Sequence, residues 1–115
     1  MTASMTGGEE VFLNVVNGED LSFVGRLLAS AGAGATELRI YLTREEVVRP
    51  WWRWGARPAE FICVEVDGAT AVRHARCTYA DDIEKFFGWS GAAKRLYAAL
   101  GETGVRLHCD PHWND

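Results

Sequence analysis

The sequence predicts a single α+β domain: a mostly antiparallel sheet with two helices on one face, in the order β-α-β-β-β-α-β. Three observations point there. Leu38, Ile40 and Leu42 alternate with Arg39, Tyr41 and Thr43 at the period of a strand. Residues 61–66 (FICVEV) run into Asp67-Gly68 and then a second β-rich stretch, 72–79, as a hairpin would. Two further stretches, one on each side of these strands, repeat apolar residues at helical spacing. Helices laid together on one sheet face bury both stripes and leave the other face partly solvated.

The elements follow in chain order. Residues 11–16 (VFLNVV) are β-branched and apolar, and residues 17–20 break them with turn formers, which predicts a first strand. Asp20 is placed to cap a helix in which Leu21, Val24, Leu27, Leu28 and Ala31 share a face before Gly32. After the strand at 38–43, residues 44–60 show neither periodicity and predict a long loop or an elaborated hairpin end. Beyond the hairpin, Asp81 or Asp82 can cap a helix through Ile83, Phe86 and Phe87. Ser90 can restart it through Ala93, Leu96, Tyr97 and Leu100. Val105, Leu107 and Cys109 alternate with Arg106 and His108, predicting a last strand.

A chain of 115 residues with 48% hydrophobic content is sized for one core. Residues 1–10 are small and polar, in the manner of a flexible or tag-derived tail, and 11–115 form the expected domain. The formal charge of −4 disfavours duplex nucleic acid and favours a partner of basic or mixed charge. Three cysteines, Cys63, Cys77 and Cys109, lack the spacing of a disulfide framework, so a reducing, cytoplasmic setting is expected. No apolar run approaches the roughly 20 residues of a membrane helix.

The most unusual segment is 49–58, where Arg49, Arg53 and Arg57 interleave with Trp51, Trp52 and Trp54 without an acid. Rigid indoles bury large areas at small entropic cost, and planar guanidiniums stack or bridge carboxylates, so this composition is that of a binding hot spot. With Glu45, Glu46 and Glu60 beside it, the segment is expected to grip another protein. An inhibitor or immunity-type protein would share this size and charge, by analogy alone. Alternatively, the same rings could close the core, or stack on a small molecule or a single strand of nucleic acid.

A second constellation, His108, Cys109, Asp110 and His112, could be joined by His74 and Cys77 from the hairpin as a zinc site or a Cys-His pair. No C-x-x-C spacing supports the metal and no third group orients a nucleophile, so no cofactor and no catalytic residue are assigned. Residues 88–92 (GWSGA) imitate a hydrolase elbow but end in Ala92 inside a helical pattern, which makes Ser90 a cap. Gly32-Ala33-Gly34 imitates a dinucleotide fingerprint but precedes a strand and has Glu37 where the third glycine belongs.

Overall fold

The computed structural model describes residues 8–16, 18–45 and 58–108. Five strands precede two helices: β1 (Glu9–Val15), β2 (Leu21–Ala33), β3 (Thr36–Arg44), β4 (Glu60–Asp67), β5 (Thr70–Cys77), α1 (Ala80–Phe87) and α2 (Gly91–Glu102). Each strand pairs antiparallel with the next. The sheet curls until β1 meets β5 in parallel at Asn14–Thr70 and Val15–Ala71, closing a small barrel. The class is the predicted one, a single-domain α+β fold with two helices on one sheet face, but the order is β-β-β-β-β-α-α.

Strand β4 explains the architecture. Its side chains alternate between two cores, which is why its apolar run has so little polar relief. Ile62, Val64 and Val66 point into the barrel with Leu13, Tyr41 and Ala71. Phe61 and Cys63 point outward, under the helices, with Ile40, Ile83, Leu96 and Leu100. Two-residue turns at Gly34-Ala35 and Gly68-Ala69 connect β2 to β3 and β4 to β5. Gly68 sits at φ 67°, a left-handed conformation that glycine adopts without a Cβ clash.

Three sequence expectations are corrected. The helix expected after Asp20 is strand β2. Its apolar residues fit helical spacing, but Ser22, Gly25, Ser30 and Gly32 are poor helix formers, and its backbone groups find partners on both β1 and β3. Pairing on two sides outweighs a local stripe. Next, the long C-terminal helix is two helices. Gly88, at φ 76°, ends α1, and Ser90 caps α2 by accepting the Ala93 N–H at 3.2 Å. Finally, residues 105–108 form no strand, and the His108 carbonyl instead accepts the Ala80 N–H at 2.8 Å.

The first helix also starts differently from expectation. Its N-cap is Tyr79, without a side-chain cap bond, and Asp81 and Asp82 lie in the first turn. There they favour the helix through its dipole. Ser90, by contrast, does cap, and Ser90→Ala should lower stability by about 1 kcal/mol in urea denaturation. An unchanged midpoint would show that the hydroxyl bond is not stabilising.

Candidate functional site

The connection from β3 to β4 carries the Trp/Arg segment. Arg49, Trp51, Trp52, Arg53, Trp54 and Arg57 lie outside the described residues. Both of its roots are within them, and both are clamped. Arg44 stands opposite Glu60 in the strand register. Thr43 Oγ1 donates to the Glu60 carbonyl at 3.1 Å and to its Oε1 at 3.3 Å. Arg76 Nη1 holds the same carboxylate at 2.8 Å, and Arg44 Nη2 reaches the Pro58 carbonyl at 3.4 Å. Arg44 Nε is buried with no hydrogen-bond partner among the described residues. Ala59 is buried, so the returning stem is anchored in the outer core.

A groove of about 350 Å³ opens beside these roots. It is lined by Arg26 and Leu42 from the sheet, Glu45 and Ala59 from the stems, and residues 103–106 beyond α2. Arg26 faces this way because it is paired with Leu42, which itself faces the helices. The Leu100 carbonyl in the last turn of α2 is closed locally: Thr103 N–H and Oγ1 both donate to it, at 3.1 and 2.6 Å. The Leu100 carbonyl is thereby satisfied without either groove arginine.

The sequence named the loop but not this groove. Arg26 was concealed inside an apparent helix and Arg106 inside an apparent strand. A signal for β2 was present: Ala29, Ser30, Ala31 and Gly32 alternate in burial as they do in polarity, but with side chains too small to register as a hydrophobic pattern. Of the neighbouring acids, Glu60 is committed to Thr43 and Arg76, Glu45 lines the groove, and Glu46 lies outside the described residues.

The His/Cys constellation does not assemble on the hairpin. His74 stands opposite Val64 and is exposed on the barrel side, whereas Cys77 stands opposite Phe61 and is buried under the helices. Three residues apart on a strand, they point to opposite faces. Cys77 lies instead with Cys63, and both thiols are free and buried. The hydrogen bond between them, followed by burial, pushes the Cys63 thiol well above the ordinary range. The same bond draws Cys77 downward against its burial. His108 lies by the start of α1, and Cys109, Asp110 and His112 lie outside the described residues. No group of three or more His, Cys, Asp or Glu able to hold a metal occurs among the described residues.

A second surface feature sits where the helices meet. Trp89 is 58% exposed and packs edge-on against Tyr97, their ring centres 4.8 Å apart. Tyr97 donates its hydroxyl proton to the Gly88 carbonyl at 2.6 Å. Burial, with the nearby Glu84 charge, pushes the phenol up to about 12. Its folded value therefore lies above the unfolded value of about 10, so its stabilising effect is complete below that pH and fades as pH rises through about 12. In an ultraviolet titration, the tyrosinate signal removed by Tyr97→Phe should be the component that develops around pH 12. If the missing component titrates at the ordinary value, the phenol is not shielded from water in solution.

Comparison of the chain with protein-family models, curated proteins and solved structures finds no match.

Proposed function

We propose that this chain is a non-enzymatic protein-interaction module whose recognition face is the barrel end carrying the 46–57 connection and the adjoining groove. The observation that carries this reading is the clamping of the loop roots by Thr43, Arg44, Glu60 and Arg76. A segment rich in Trp and Arg, held at both ends by a closed barrel, loses less freedom on binding than one hung from flexible stems. Its six large side chains, Arg49, Trp51, Trp52, Arg53, Trp54 and Arg57, are the contact residues. The acidic total charge favours approach by a partner with basic regions, while the positive loop end meets carboxylates, so the partner carries mixed charge. Two free buried thiols suit a reducing, cytoplasmic setting. Enzymatic use of these thiols is disfavoured, because both are sealed beneath the helices away from any substrate.

The test is affinity capture with the full chain, followed by direct titration of the captured protein. Trp51→Ala, Trp52→Ala or Trp54→Ala should each weaken that partner by about 2 kcal/mol, roughly thirtyfold, with an unchanged urea midpoint. If all three variants unfold, the indoles are core and the recognition reading fails. It fails equally if a captured partner binds the folded variants as tightly as the wild type.

A further inference from the structure

Seven arginines lie among the described residues, and the structure commits five of them. Arg39 holds Glu37 and Tyr41, and Arg44 reaches the Pro58 carbonyl. Arg73 holds Glu65 and the Phe86 carbonyl, Arg76 holds Glu60, and Arg95 donates to the Gly32 carbonyl. Arg26 and Arg106 alone make no hydrogen bond or ion pair among the described residues. These two line the same groove, although one comes from β2 and the other from beyond α2, 80 positions later in the chain. Arg26 is also half-buried there, where a guanidinium has surrendered part of its water without gaining an acceptor among the described residues.

We infer that the groove between Arg26 and Arg106 receives the carboxylate of an Asp or Glu side chain from an acidic segment of the partner protein. This deepens the recognition reading above and rests on it. A guanidinium offers a fork of N–H donors that matches a carboxylate in two parallel bonds, and two such forks facing one groove can share one acid. The volume of about 350 Å³ admits a few side chains. Glu45 on the same rim leaves a net charge near +1, which tolerates a monoanionic carboxylate better than a phosphate dianion. An extended nucleic-acid strand needs a track of cations, which two arginines beside Glu45 do not supply.

The probe is hexaglutamate, titrated at low salt into the isotope-labelled full chain, with the arginine Nε–Hε resonances as readout. The Arg26 and Arg106 signals should shift and saturate together, added salt should weaken the binding, and hexalysine should move neither signal. The Arg26→Gln/Arg106→Gln variant should bind about tenfold more weakly, Arg106→Gln alone should show part of that loss, and Arg26→Lys should retain part of the affinity. Because Arg106 is exposed, its single variant tests the groove even if substitution at Arg26 perturbs folding. Unmoved arginine signals, undiminished binding by the folded variants, or tighter binding of oligothymidylate or pyrophosphate at these arginines would each overturn the assignment. The two readings separate in titrations with the captured partner. If Trp52→Ala weakens that partner while the double arginine variant binds it normally, the loop stands and the groove assignment falls. If hexaglutamate still shifts both arginines while the tryptophan variants bind the partner normally, the groove takes carboxylates and the loop reading falls.

Discussion

Phe61→Ala is expected to destabilise the protein by about 3–5 kcal/mol, the largest effect of any single truncation considered. Phe61 has no exposed surface and lies where the outer core is closed from both sides by the sheet and the helices. Its neighbours Ile40, Cys63, Ile83 and Leu96 are themselves sealed and come from four different elements, so they cannot collapse into the void together. Domains of this size hold only about 5–15 kcal/mol in total, so the variant should show a strongly lowered urea midpoint. Phe61→Leu, which removes less volume, should fall between it and wild type. A midpoint for Phe61→Ala within 1 kcal/mol of wild type would mean that the outer core is loosely packed in solution.

Gly25→Val is expected to cost about 3 kcal/mol, by a different mechanism. Strand β2 serves two neighbours: Leu21 to Gly25 pair with β1, and Arg26 onward pairs with β3. The handover sits at Gly25, where an added Cβ would stand 3.0 Å from the Leu42 carbonyl and 3.2 Å from the Phe23 ring. The carbonyl belongs to the β2–β3 ladder and has little freedom to retreat, so valine must push β2 away from its partner. The loss should appear first as accelerated hydrogen exchange in β1, the strand that closes the barrel over only two residue pairs with β5. Protection of β1 equal to wild type would show that the corner does not depend on a bare glycine. Arg26 follows directly, so the same variant should also disturb the groove.

The two effects reflect different degrees of legibility. Phe61 belongs to a run whose period, length and terminal Asp-Gly announce a buried hairpin strand, and Ser90 announces a helix start through its side-chain oxygen. Strand β3 was equally plain, because Leu38, Ile40 and Leu42 alternate with Arg39, Tyr41 and Thr43. Gly25 gives no such announcement. The segment around it satisfies a helical stripe, and only the availability of β1 and β3 as hydrogen-bonding neighbours decides that it extends. The same holds at the site. Composition singled out the Trp/Arg segment, but Arg26 and Arg106 are ordinary surface residues in the sequence and become a pair only when the end of α2 is brought against β2.

By itself, then, the sequence determined the α+β class, the central antiparallel strands, the cap at Ser90 and the compositional oddity of residues 49–58, because each depends on side chains close together in the chain. Tertiary structure alone decided that residues 21–33 form a strand, that the sheet curls into a barrel, that His74 and Cys77 face apart, and that two guanidiniums without a partner among the described residues share a groove. Those outcomes depend on backbone groups and charges finding partners tens of residues away, and no local period encodes which partner will be found.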